Sequence, residues 1–481
     1  MSLKKIVFRN AIFNAIKYGA DRIGAIIFTV IIARMLDPEL FGIYSIALST
    51  GLLFLTFADL GINNAMVRYV SEAFGKQNKD LASTYFKYLL KFKLALTLII
   101  SAVMIVFSKQ LAEFLFNKPE LFMPFIAVGV FLIFQSIFSS FDSLFYALQK
   151  VNSAAISRFL FEVVRIILAP ILIILGFAVF GVLIGSAIAA GAAALFLLII
   201  MMREHSHLIN GAKVDFDKKK LLNYLYALTI SSIAGVFFIY IDTLMLGVML
   251  PAEFTGYYRA AYALVYAVIG IISLVDVTFP IFTQLDEEKL NTVFQKVFKY
   301  SAILSIPASI GVPFIAAPFI KIIYGVEYLP AVPALAALSL LIFASTSGAL
   351  FTSMLNARER PYLPAKIIIV GLILNIILNY FFILRWGYVG AAYATIISNY
   401  LVVIITAIIL RQQMKVSPKI MHIIKPIIAT AVMAVVLIFL LPEPTRISIG
   451  GFNAIVAVGI YFVSLWIIKG FKISELTNLV N

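Results

Sequence analysis

The 481-residue sequence predicts an all-α polytopic membrane protein of fourteen transmembrane helices, on three observations. Hydrophobic residues make up 63% of the chain and charged ones 13%, too little polar surface to cover a water-soluble globule. Apolar stretches of roughly 20 residues recur along the whole chain, each long enough for a hydrocarbon layer about 30 Å thick. The cations alternate with those stretches: of 38 Lys and Arg, 27 fall in one set of loops, 7 in the other and 4 inside spans. The cation-rich side is cytoplasmic by the positive-inside rule, and an even count of spans puts both termini there.

In chain order, spans are read near residues 9–35, 41–60, 83–107, 121–146, 153–176 and 179–202. After a polar segment from Arg203 to Lys220 come 221–249, 254–281, 299–320, 330–354, 361–384 and 388–410, and then 421–441 and 449–469. The first run carries Lys17, Asp21 and Arg22 at its middle and no small-residue cleavage site, so it reads as a retained helix. The segments from Arg68 to Lys93 and from Gln284 to Lys299 mix apolar and basic residues at helical spacing, which suits helices at the inner headgroup layer.

The two halves repeat. Leu36, Glu39, Gly42 and Tyr44 recur as Leu250, Glu253, Gly256 and Tyr258 at an offset of 214. Leu81, Lys87 and Gly181 recur as Leu290, Lys296 and Gly390 at an offset of 209, so one short deletion separates the registers. Six spans between equivalent points give both copies the same orientation, with a symmetry axis along the membrane normal. The expected domains are a six-helix lobe over 1–210, a second over 211–415, and two further spans over 416–481.

The net charge of +15 follows the loops rather than a stripe interleaved with aromatics, so it points to an anionic membrane face and not to nucleic acid. Zero cysteines exclude disulfides and thiol chemistry, and three histidines outside the spans offer no metal set. Aromatic residues at 14% read as membrane belts first and as sugar-stacking surfaces second.

Ionised groups inside spans point to function. Asn10, Asn14, Lys17 and Asp21 lie on one face of the first span, which Gly24 continues, with Arg22 beside it. Arg158, Glu162 and Arg165, spaced four and three, form a stripe on the fifth. These residues either pair with one another, as Asp21 with Arg165 or Lys17 with Glu162, or line a site for an anion. Lys17, Arg22, Arg158 and Arg165 exceed Asp21 and Glu162 by two charges, which favours the anion. Asp59, Asp142 and Asp276, near the inner ends of their spans, read as snorkelling or capping carboxylates, or as an inner gate. Asp242 in the seventh span is open between a coupling-cation site and an outer headgroup contact. Asn375 and Asn379 share a helical face that suits interhelical hydrogen bonds or sugar contact, and Gly181 with Gly185 has the spacing of a close helix seam.

The segment ARMLDPELFGIYSIALSTGLLFLTFADLGINNAMVRYVSEAFGK, from Ala33 to Lys76, resembles the signature region of prokaryotic polysaccharide exporters of the O-antigen flippase type. GYVGAAYATIISNY, from Gly387, is similar to the family's second-half signature. The resemblance covers nearly the whole chain and places it in the multidrug/oligosaccharidyl-lipid/polysaccharide superfamily. It implies a V-shaped pair of lobes, as in multidrug exporters, and alternating access that moves a polyprenyl-diphosphate-linked oligosaccharide to the outer leaflet. It also implies a cationic lumen at Lys17, Arg22, Arg158 and Arg165, and no catalysis. The expected small ligand is a coupling cation, H+ or Na+. The expected partners are the lipid-linked oligosaccharide, membrane lipid, and a polymerase or glycosyltransferases, with the chain a monomer in a prokaryotic cytoplasmic membrane. A multidrug exporter would want acidic lobes, and the cation surplus opposes it. A lipid II flippase shares the fourteen spans and basic cavity. A membrane polymerase or ligase would carry a larger outer loop than any here.

Overall fold

The computed structural model describes residues 22–273, 282–283, 287–358, 362–439 and 447–471, in two compact units, Met1–Gly256 and Tyr257–Asn481. Every regular element among these residues is a helix. Among the described residues, nine helices are long and apolar enough to cross a bilayer, or ten if the bent pair Val326–Leu338 and Leu341–Ala357 is one span.

In the first unit, α1 covers 22–35, and α2 (Pro38–Asp59) starts on Asp37, whose Oδ1 accepts from the Leu40 amide at 2.8 Å with Pro38 in the first turn. α2 ends where Leu60 and Gly61 both turn left-handed, and α3 (Ile62–Gly75) leaves in a new direction. α3 is amphipathic: Met66, Tyr69, Val70 and Ala73 are buried while Arg68 and Glu72 are exposed. α4 (Lys79–Val106) is capped by Asn78 and runs unbroken, so the expected surface segment ends near its start and not at Lys93.

α5 (Phe122–Ala147) is followed by α6 (Val151–Leu172) and α7 (Ala178–Glu204). A straight helix from Val151 to Glu204 would be about 80 Å long. Instead the chain reverses through Gly176 (φ 88°) and Ala178 (φ 41°). The seam is small-residue packing: a Cβ on Gly181 would lie 2.8 Å from Leu172 Cβ, and one on Gly185 3.3 Å from the Ala169 nitrogen. A similar reversal occurs at Gly387 (φ 60°) in the second unit. α8 (Lys218–Met249) packs on α2, with Gly247 against Ile46, and α9 (Ala252–Ile272) follows.

The first turn of α9 meets α2 reciprocally. A Cβ on Gly42 would fall 1.9 Å from the Ala252 carbonyl oxygen, and one on Gly256 2.0 Å from that of Pro38. Pro38 and Ala252 are themselves equivalents at the 214 offset, so the duplicated motif folds onto its own copy, backbone against backbone.

In the second unit, α10 (Glu287–Ile323) holds Pro307, Pro313 and Pro318, and α11 (Leu341–Ala357) is joined to the helix before it at 48°. Ser339 Oγ donates to the Ser309 carbonyl at 2.7 Å and Ser309 Oγ accepts the Phe343 amide at 3.1 Å, stitching that bend to α10. α12 (Tyr362–Met414) folds back at Gly387, bringing Gly390 against the Phe382 carbonyl. α13 (Met421–Phe439) and α14 (Ile447–Ile467) lie on α10, where the Tyr461 hydroxyl donates to the Ile303 carbonyl at 2.7 Å.

In the first unit, the linker after α7 is fastened to α4: Ser83 Oγ donates to the Leu208 carbonyl at 2.8 Å and Lys87 Nζ to that of Gly211 at 2.9 Å. His205 sits 6.5 Å from the Phe74 and Phe145 rings and His207 stacks on Phe74. Burial holds both imidazoles below the ordinary histidine value of 6.5, helped by Lys150 at His205 and Lys79 at His207.

Two predictions follow from this packing. Gly42→Ala and Gly256→Ala lower the thermal midpoint of purified protein, by about 1–3 kcal/mol of overpacking each, whereas Gly235→Ala, with open space at its Cβ, does not. Equal midpoints for all three would remove the reciprocal contact. For the histidines, the unfolded chain binds more protons than the folded one below the ordinary value. Their contribution is complete above about pH 6.5 and is lost as pH falls through the folded-state values. Scanning fluorimetry from pH 7.5 to 5.5 should show a falling midpoint, with a smaller fall in His205→Phe; identical falls would reject the assignment.

Candidate functional site: a belt of paired charges

An ionised side chain at mid-bilayer costs about 2.5–3.5 kcal/mol on insertion scales, so each one inside these helices must find a partner or water. On α6, Arg158, Glu162 and Arg165 share one face. Arg165 Nε donates to Glu162 Oε2 at 2.7 Å, and its Nη2 lies 2.6 Å from the same oxygen. Its guanidinium stands over the Phe28 ring of α1 at 4.3 Å and over Phe161 at 4.9 Å. Gly24 makes room for this approach, since a Cβ there would lie 2.8 Å from Glu162 Oε2. Arg158 Nη2 reaches Asp142 Oδ2 of α5 at 3.4 Å and covers the Phe138 ring at 4.9 Å.

A third pair extends the belt. Lys93 of α4, 1% exposed, places its ammonium 2.9 Å from Asp59 Oδ1, and donates to Asn63 Oδ1 at 2.8 Å and Ser139 Oγ at 2.9 Å. Thr97 and Ser136 hydroxyls meet at 2.8 Å one turn further along the same helices. Polar contacts therefore run from the end of α2 through α4 and α5 to α6 and α1. Lys93, Arg158 and Arg165 are balanced by Asp59, Asp142 and Glu162, so of the in-span charges of the first half Lys17 and Arg22 remain against Asp21, a surplus of one.

Sequence reasoning had counted Lys93 with the inner loops and passed over Asn63 and Ser139. A usable signal existed: the apolar run after Lys93, from Leu94 to Phe107, spans only about 21 Å as a helix, short of the hydrocarbon layer. The suggested pairs of Lys17 with Glu162 and of Asp21 with Arg165 involve residues outside the described ones, and within α6 Glu162 and Arg165 are i,i+3 partners. Asp59 and Asp142 join the belt.

Among the other candidates, Arg22 is exposed at the start of α1 and Asp242 is buried in α8. Asn375 and Asn379 are buried in α12 and bond to each other, Asn379 Nδ2 donating to Asn375 Oδ1 at 2.9 Å. Asn10, Asn14, Lys17, Asp21 and Asp276 lie outside the described residues. At the 209 offset, the second copy has Ala302, Phe351, Ile367, Gly371 and Leu374 where the first has Lys93, Asp142, Arg158, Glu162 and Arg165. The belt belongs to one copy of the repeat.

Residues 7–286 match the family described as polysaccharide biosynthesis protein. The chain belongs to that family. Residues 252–446 also match the family of the lipid II flippase MurJ. An uncharacterized membrane protein of Methanocaldococcus jannaschii is 22% identical over 83% of this chain and 83% of its own length. The probable low-salt glycan biosynthesis flippase Agl15 of Haloferax volcanii is 28% identical over 38% of this chain and 40% of its own. In fold, the protein resembles the lipid II flippase MurJ in an inward closed conformation, with a TM-score of 0.78 at 16% identity over 98% of this chain and 100% of that one. It also resembles an inward-facing multidrug resistance MATE transporter, with a TM-score of 0.68 at 16% identity over 82% of this chain and 94% of that one. The chain is thus a multi-pass membrane protein whose regular elements, among the described residues, are all helices.

Glu162→Gln tests the pairing. It leaves the Arg165 guanidinium buried without its carboxylate and should cost about 3–5 kcal/mol, while Glu162→Gln combined with Arg165→Gln recovers most of the loss. Additive losses in unfolding experiments would mean the two groups do not depend on each other.

Proposed function

We propose that the protein is a flippase carrying a polyprenyl-diphosphate-linked oligosaccharide from the cytoplasmic to the outer leaflet of a prokaryotic cell membrane. The observation that carries this reading is the Arg165 guanidinium, fixed within the span by Glu162 and by the Phe28 and Phe161 rings. A diphosphate is the anion that Arg forks suit, and Lys17, Arg22 and Arg158 would supply the remaining charge. A headgroup of sugars and phosphates faces a prohibitive barrier in hydrocarbon. A polar lumen carries it while the lipid tail stays outside.

In this reading the chain crosses fourteen times with both termini cytoplasmic. Lobes 1–210 and 211–415, with the added spans in 416–481, adopt the V-shaped arrangement of multidrug exporters and alternate in access. The work is done by differential binding of substrate and of H+ or Na+ to the two states, with no bond made or broken. Asn14, Asp21, Asn375 and Asn379 serve as polar lining, and Asp242 and Asp276 are further candidates for gating or ion coupling. The partners are the enzymes that build and polymerise the glycan, and the chain acts as a monomer.

A second reading, transport of lipid II, is favoured by the match over residues 252–446. Proteoliposomes loaded with a fluorescent polyprenyl-diphosphate oligosaccharide, or with labelled lipid II in parallel, separate the two when outer-leaflet label is quenched by dithionite. Arg165→Ala and Arg158→Ala should each slow the transfer about ten- to hundredfold, as expected for losing a contact to a charged group. Wild-type transfer in both variants would remove the arginines from the site. Lipid II moving faster than the oligosaccharide would replace the first reading by the second.

A further inference from the structure

The diphosphate reading leaves unused a ladder of phenol rings on α9 in the second unit. Tyr258, Tyr262 and Tyr266 recur at every fourth residue. The Tyr262 and Tyr266 rings stack with centroids 4.3 Å apart and planes at 22°, and Tyr258 and Tyr262 follow at 6.0 Å and 30°. The Arg259 guanidinium stands 5.0 Å over the Tyr262 ring. Tyr262 lies about 15 Å from either end of α9, inside an apolar span and far from the headgroup level at which tyrosines form belts.

Contacts fix which way the ladder faces. On one flank Tyr324, just beyond α10, donates its hydroxyl to the Ala260 carbonyl at 3.2 Å, and on the other the Tyr258 and Thr395 hydroxyls meet at 3.3 Å. Ala261, Leu264 and Val265 are buried behind them. Between the flanks an accessible stripe runs through Arg259, Ala263, Tyr266 and Gly270, with Tyr266 41% exposed. Ile271, the other strongly exposed residue of α9, points about 140° away around the helix, where an aliphatic side chain suits lipid. The stripe itself carries a cation, a phenol and two residues too small to cover them, which suits a polar ligand. At the 214 offset the first copy has Ser45, Leu48, Ser49 and Leu52 where the second has Arg259, Tyr262, Ala263 and Tyr266, so the full ladder belongs to one copy.

We propose that Tyr266, backed by Tyr262 and flanked by Arg259, is a stacking subsite for a pyranose ring of the glycan. The C–H groups on one face of a pyranose are apolar and slightly positive, and they settle on the electron-rich face of a phenol while the hydroxyls point outward around the rim. Tyr262 at 4.3 Å supports the Tyr266 ring from one side and fixes its orientation, and Tyr266 is the member of the ladder that reaches the accessible stripe. Arg259, on the same stripe, is a hydrogen-bond donor suited to ring hydroxyls. Stacking of this kind selects for a sugar ring rather than for one particular sugar. The inference rests on the transport reading for the identity of the ligand: it places the glycan of the lipid-linked substrate, where the arginines were assigned its diphosphate.

Saturation-transfer NMR on the full-length protein in nanodiscs tests the subsite, with chitotriose and maltotriose as ring probes and sorbitol as an open-chain polyol. Irradiating the aromatic protons of the protein should transfer saturation to the ring C–H protons of the trisaccharides and not to sorbitol. Tyr266→Leu, for which Leu52 is the precedent in the first copy, should weaken binding about two- to tenfold, as for the loss of one aromatic stack. Tyr266→Phe, which keeps the ring, should bind like the unmutated protein, and Tyr266→Met repeats the loss with a second ringless side chain. No transfer to either trisaccharide in the unmutated protein, equal transfer to sorbitol, or unchanged affinity in the ringless variants would each overturn the subsite. No transport enters these measurements: a protein that holds the sugars and flips nothing would keep the subsite and lose the flippase reading.

Discussion

The constraint from which this molecule follows is that lipid offers no counter-ion. Every ionised group taken into the hydrocarbon must bring its neutraliser on a neighbouring turn or helix, and in the first unit each of three cations does so. Glu162 neutralises Arg165 from the same helix, Asp142 answers Arg158 from the adjoining one, and Asp59 answers Lys93 across the bundle. Helix order and spacing in that unit are therefore set by pairing as well as by packing. Gly24 is glycine because a carboxylate lies against it.

Much of this was legible in the sequence, because the physics of spans is periodic and local. Hydropathy located the helices, the arginine stripe on α6 was read from its spacing, and the seam at Gly181 and Gly185 from its four-residue interval. Lys93 was not legible by the same rule, since a lone cation near the start of a long helix looks like an interfacial anchor until its partners are known. Those partners, Asn63 and Ser139, lie 30 and 46 residues away and carry no charge to draw attention. The hairpins were read as pairs of spans, but the left-handed φ of Ala178 that helps turn one of them has no compositional mark.

The duplication supplies a symmetric skeleton carrying an asymmetric cargo of charge. Where one copy has Asp142 and Arg158, the other has Phe351 and Ile367, and Phe351 lies in an apolar cluster with Phe294 and Phe298. One copy thus pairs charges where the other packs aromatic and aliphatic side chains. Divergence of this sort needs the skeleton to stay fixed while the side chains within it change.

The reciprocal seating of Gly42 and Gly256 states where that skeleton is least free. Each glycine rests on the peptide oxygen of the other copy's segment, so neither half can gain a methyl group there without its twin giving way. The two halves are consequently bound to a shared ancestry at this joint. A chimaera assembled from halves of distant relatives would inherit any mismatch between their backbones here, before a side chain elsewhere had a chance to matter.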